Sequence, residues 1–145
     1  MLHDGENHTL IWFELTETAA ISPFSTAVEL INDIQQLGCK VALDDFGPGL
    51  SSFGYLKNLP VDILKIDGQF IREIALNNID REMVRAIHQV GQSMGIKTVA
   101  ESVENQDIVD VLVEIGIDYA QGYHIDKPCP MEEAVARLSP MDRAV

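Results

Sequence analysis

The chain has 145 residues, 46% of them hydrophobic, which fits one domain with a real core and excludes a disordered segment. Ten basic residues face 23 acidic ones, a formal charge of −13. That balance excludes a general nucleic-acid or membrane-surface binder, which needs clustered Lys and Arg, but not a small anion held through metal ions, because a metal reverses the local sign.

A strand is expected over residues 9–16, closing on Ile11-Trp12-Phe13-Glu14. Ser22-Pro23 reads as an N-cap and first helical residue. Ala27, Leu30, Ile31, Ile34 and Leu37 then recur at helical spacing, and Gly38 ends that helix. The second strand runs from Lys40 to Asp44, followed by a Gly- and Ser-rich loop from Phe46 to Gly54. Leu56 and Leu59-Pro60 lead into a third strand, Ile63-Leu64-Lys65-Ile66. Asp67 opens a short helical turn through Phe70 and Ile74. A longer helix starts near Asp80, buries Met83, Val84, Ile87 and Val90, with Met94 a further candidate, and ends at Gly95. The fourth strand is Lys97–Ala100. Asn105 or Gln106 begins a helix with Ile108, Val111, Leu112 and Ile115 on one face and Gly116 behind it. A short fifth strand at 118–120 and a last helix from Met131 follow. Residues 1–138 are expected to form one domain, with 139–145 a frayed tail.

This alternation predicts an α/β fold of about five β/α units. Apolar residues of both parities in most strands indicate parallel strands buried on two faces. Either an open sheet or part of an eight-unit barrel fits. The phosphate-binding Gly-rich turn of a dinucleotide fold is missing, and acids stand at successive strand ends, which favours the barrel. Those ends carry Glu14, Asp44, Asp45, Asp67 and Glu101, with Lys65 among them and Gln121-Gly122 after the fifth strand. Parallel β/α folds keep their active sites on that rim. Carboxylates gathered so densely repel one another unless a cation sits among them, so a metal-dependent enzyme is the reading.

Blander readings compete at each position. Asp67 equally suits a helix cap; a surface lysine at Lys65, which interrupts a run of buried aliphatics, and solvated loop acids at Glu101 and Glu104 are the weaker readings. A Gly-rich loop rather than a helix follows Asp44-Asp45, which argues against capping there. Asp45-Phe46-Gly47 matches a kinase metal motif, but no nucleotide loop or His-Arg-Asp loop accompanies it. Cys39 and Cys129 lack metal-type spacing and read as two buried thiols. His3, His8, His88 and His124 also lack it; His88 reads as a partly buried helix residue, and His124 as a weaker candidate to approach substrate. No apolar run reaches the roughly 20 residues that span a bilayer, and no signal-peptide layout opens the chain. A cytoplasmic location is expected.

In order, Phe13-Glu14-Leu15-Thr16-Glu17, Asp44-Asp45-Phe46-Gly47-Pro48-Gly49-Leu50-Ser51-Ser52, Leu64-Lys65-Ile66-Asp67, Val99-Ala100-Glu101-Ser102-Val103-Glu104 and Gln121-Gly122-Tyr123 resemble the C-terminal motifs of EAL domains. The resemblance runs from about Leu10 to Met131 and implies the C-terminal part of a TIM-like (β/α) barrel. It also implies a phosphodiesterase that hydrolyses cyclic di-GMP to linear pGpG with Mg²⁺ or Mn²⁺ in a two-metal site. On the same resemblance, Glu14, Asp44 and Asp45 are metal ligands, and Asp67 supports the metal site. Lys65 orients the attacking water or meets phosphate charge, and Glu101 is the general base. Glu104 and Gln121 either support the ligands from behind or contact metal-bound water or substrate, and Glu17 ties down the Asp44–Ser52 loop. The sequence departs from the family at Pro48 (commonly Thr), Leu50 (commonly aromatic) and Ser102 (commonly Gly). Pro48 fixes φ and removes a donor, so the loop geometry there is expected to differ.

The Glu-Ala-Leu signature and an Asn metal ligand are absent, and both are expected before Met1. The isolated fragment is therefore expected to be weakly active or inactive. It is also expected to form a homo-oligomer through exposed barrel edges. The ligand implied is cyclic di-GMP, with no DNA or RNA. Two alternatives stay open: a non-catalytic cyclic di-GMP receptor or protein-interaction module with a degenerate site, and an enolase-type barrel enzyme with lysine as base.

Overall fold

The computed structural model describes residues 12–16, 24–46, 53–122 and 125–138. The chain divides into two compact units, Met1–Lys65 and Ile66–Val145.

In the first unit, β1 (Trp12–Thr16) pairs in parallel with β2 (Lys40–Phe46), placing Glu14 beside Ala42 and Thr16 beside Asp44. Helix α1 (Phe24–Gln36) makes the crossover. Ala27 and Ile31 are its buried residues, while Leu30 and Leu37 face solvent. The apolar face is thus narrower than the sequence pattern implied. Gly38 leaves the helix at a φ of 86°, a left-handed turn that glycine makes without steric cost. Val41, Ala42 and Leu43 of β2 are all buried. Burial of both parities marks a parallel strand covered on two faces. The strand runs two residues past Asp44, and buried Phe46 anchors its end. A one-turn helix, α2 (Phe53–Leu56), stands where the loop was expected to end. β3 (Ile63–Ile66) is buried at every position, and the division between the units falls after its third residue. The strand order in this unit is β1-β2-β3.

The second unit opens with α3 (Gly68–Ile71), which packs on β4 (Lys97–Val103). Helix α4 (Asn78–Ser93) starts earlier than expected. Asn77 caps it, its Oδ1 accepting from Ile79 N at 2.9 Å and Asp80 N at 3.1 Å. Val84, Ile87, His88 and Gly91 form its buried face, with Met83, Val90 and Met94 half-buried. Helix α5 (Gln106–Ile115) is capped by Asn105 and ends at Gly116 with a φ of 98°. The amides of Gly116 and Ile117 both return to the Leu112 carbonyl, which satisfies an end that would otherwise be orphaned. β5 (Tyr119–Gly122) runs parallel to β4.

The next strand, β6 (Ile125–Pro130), runs antiparallel to β5 and leads directly into α6 (Met131–Leu138). No strand was expected there, and it contains Pro128 and Pro130. β6 is last in the order β4-β5-β6; an outer strand tolerates proline, whose missing N–H is not needed on the open side.

Cys39 and Cys129 are buried free thiols, as expected. Among the described residues, no helix is long and apolar enough to cross a membrane. The expected frayed tail, residues 139–145, lies outside the described residues.

Candidate active site

The first unit gathers three of the expected site residues. Lys65 lies on β3 and is only 3% exposed. Its Nζ donates to Glu14 Oε2 at 2.7 Å and stands 3.7 Å from Asp44 Oδ1. Glu14 is on β1, so the lysine stem reaches across the width of β2. Ala42, the register partner of Glu14, presents only a methyl group on that face, since paired residues of neighbouring strands point the same way. The two acids remain partly open to water, with side-chain exposures of 41% for Glu14 and 21% for Asp44. A buried ammonium is costly unless paired, and an aliphatic residue of similar volume would serve the core as well or better. Lys65 therefore sits there for its charge, and the surface-lysine reading is overturned.

Asp45 follows with a φ of 55°. Successive strand residues point to opposite faces. A left-handed residue breaks that alternation, and aspartate is one of the few non-glycine residues that adopt it readily. The Asp45 amide donates to Asp44 Oδ1 at 3.0 Å, which fixes the Asp44 carboxylate.

In the second unit, Glu101 belongs to β4 rather than to a loop and is half-buried. Gln121, also half-buried, is on β5. Glu104 is exposed, just before the Asn105 cap. Asp67 is the N-cap of α3, its Oδ1 accepting from Gln69 N at 2.8 Å. The capping alternative is therefore realised at Asp67, and a carboxylate keeps a second oxygen for other work. Glu17, the loop Gly47–Ser52, Tyr123 and His124 lie outside the described residues, as do His3 and His8.

A different polar cluster occupies the opposite ends of the strands in this unit. His88 Nδ1 meets Thr98 Oγ1 at 2.8 Å, and Asp118 Oδ2 accepts from Thr98 N at 2.9 Å and from Thr98 Oγ1 at 3.2 Å. Burial lowers the His88 pKa below its usual 6.5, and the Asp118 charge offsets part of that shift. The first unit repeats the device: Asp62, just before β3, accepts from Val41 N at 2.9 Å and from Gln35 Nε2 at 3.1 Å. Sequence reasoning passed over Asp62 and Asp118. Their signal is an acid immediately before a strand-like apolar run, in Val61-Asp62-Ile63 and Ile117-Asp118-Tyr119.

A family model described as EAL domain matches residues 1–128. The chain belongs to the EAL domain family. It is 50% identical over 121 residues to the cyclic di-GMP phosphodiesterase PdeB of Shewanella oneidensis, an alignment covering 83% of this chain and 14% of that protein. Among solved structures, the EAL domain of Mycobacterium smegmatis DcpA is 35% identical with a TM-score of 0.73, covering 88% of this chain and 57% of that one. A manganese and cyclic di-GMP complex of Klebsiella pneumoniae BlrP1 is 30% identical with a TM-score of 0.72, covering 83% of this chain and 31% of that one. The chain thus spans well under two thirds of the relatives it matches. The expected family and fold class, α/β and part of an EAL-type barrel, both stand.

Proposed function

We propose that the protein carrying this EAL sequence hydrolyses cyclic di-GMP to linear pGpG with Mg²⁺ or Mn²⁺. One observation carries the reading most directly: a buried lysine held between two strand-end carboxylates, Glu14 and Asp44. PdeB is named a cyclic di-GMP phosphodiesterase, and the BlrP1 structure is a complex with manganese and cyclic di-GMP.

The donor set suits such cations. Glu14, Asp44 and Asp45 offer only hard carboxylate oxygens, which match Mg²⁺ and Mn²⁺ rather than softer metals. These three residues hold the metal, and Asp67 supports the site. When bound, the cation supplies positive charge against the phosphate and the departing oxygen. Lys65 adds a fixed ammonium that meets phosphate charge or orients the attacking water. Glu101 takes a proton from that water as it attacks phosphorus. The new P–O bond forms while the bond to a ribose 3′ oxygen breaks and that oxygen takes a proton from solvent water, which opens the ring and leaves a 5′ phosphate and a 3′ hydroxyl. Glu104 and Gln121 support these groups from behind.

The test uses the natural full-length protein with cyclic di-GMP and either Mn²⁺ or Mg²⁺, following pGpG by chromatography. Turnover that disappears with chelator and in Glu101→Gln supports the proposal. Tight binding of cyclic di-GMP without hydrolysis, measured by calorimetry, would replace it with a receptor function.

A further inference from the structure

The end of β4 is irregular. Ala100 pairs with Ala120 and Val103 with Gly122, so Glu101 and Ser102 together face Gln121 alone. This is a β-bulge, a feature that bends a strand and re-aims a side chain, and it is uncommon between parallel strands. Ser102 takes the strained position, with a φ of 62°. Serine does not enter that region without cost, so its surroundings must hold it there.

Two glycines do so. A Cβ on Gly68, the first residue of α3, would overlap Ser102 Oγ and lie 3.0 Å from Ser102 Cβ. A Cβ on Gly122 would overlap the Val103 backbone, N and carbonyl oxygen alike. Gly68 thus leaves the seat that the Ser102 side chain fills, and Gly122 lets β5 close against the next residue.

We propose that Gly68 and Ser102 are a coupled positioning pair that sets the direction of Glu101 through the β4 bulge. Neither residue touches the reacting atoms. The inference rests on the proposed role of Glu101, but the coupling itself does not.

The test is a double-mutant cycle in the full-length protein with Gly68→Ala, Ser102→Gly and the pair. Three quantities are read: the melting temperature, hydrogen exchange of the 97–103 segment, and kcat and KM for cyclic di-GMP with Mn²⁺. Gly68→Ala should speed exchange over 97–103, lower the melting temperature and cut kcat by about tenfold or more at nearly constant KM, as misdirected catalytic groups do. Adding Ser102→Gly empties the seat and should restore all three. If Gly68→Ala does not fold, recovery of a folded protein in the pair supports the coupling, and failure of both overturns it. Additive effects in the cycle overturn the coupling. A restored melting temperature with kcat never altered overturns the positioning role and leaves a purely structural contact. Absence of turnover in the unmodified protein refutes the phosphodiesterase reading instead. The exchange data then decide the pair alone, with protection lost in Gly68→Ala and regained in the double variant if it is correct.

Discussion

Acids stand at both ends of the strands, and the two ends use them differently. At the starts, Asp62 and Asp118 each accept the second amide of the preceding strand at 2.9 Å, from Val41 and Thr98 respectively. Further donors, Gln35 for one and the Thr98 hydroxyl for the other, complete these carboxylates. At the far ends, the charge of Glu14 and Asp44 is met by the Lys65 ammonium while both acids stay partly open to water. Backbone strain is confined to this side: the two described non-glycine residues with positive φ are Asp45 and Ser102. Strand starts are closed by hydrogen bonds and contribute stability, whereas charge and strain gather at the strand ends, the side on which β/α barrels keep their active sites.

The sharpest way to break this contrast is to exchange the ends' roles by mutation. Lys65→Met should reduce kcat by about a hundredfold or more while leaving the urea midpoint unchanged or raised, because an apolar residue replaces a buried ion whose partners can hydrate. A variant with a lowered urea midpoint and an unchanged kcat would invert the assignment. Asp118→Ala should do the opposite. It strands the buried Thr98 amide and should cost about 2–3 kcal/mol in urea denaturation, with kcat per folded molecule unchanged.

Gly116→Ala tests a neighbour of that cluster. The new methyl meets His88 Nε2 at 3.4 Å on a backbone with φ of 98°, and a loss of about 1–2 kcal/mol is expected from the left-handed conformation alone.

The smallest effect is a pH dependence. Burial lowers the His88 pKa from its usual 6.5, with the Asp118 charge opposing part of that shift. Below that value the unfolded chain takes up a proton that the folded chain resists. The stability linked to His88 is therefore complete above the unfolded value and is lost as pH falls toward the lower folded one. His88→Gln should flatten the slope of melting temperature against pH in that window. An unchanged slope would show that Thr98 and Asp118 hold the imidazole without regard to its charge.

The order of strands and helices could be read from periodicity and from Gly38, Gly95, Asn105 and Gly116, because caps and turns are local. β6 could not. Its two prolines argue against a strand by themselves, and only its place outside β5 makes them harmless. The strand-end acids Glu14, Asp44, Asp45 and Glu101 were legible as a set because their motifs stand in register along the chain. Their separate tasks were less so: Asp67 proved to cap a helix, a choice between two readings that the sequence alone left balanced. Asp62 and Asp118 went unnoticed because their partners lie 21 and 20 residues away.

The sequence by itself determined the succession of β/α units, the family and the list of charged residues at strand ends, since each depends on neighbours along the chain. Tertiary structure decided which charges meet and which positions are strained. Only folding could bury Lys65 between acids from two other strands, or set Gly68 under Ser102, because such encounters are fixed by distances in space that one-dimensional spacing does not contain.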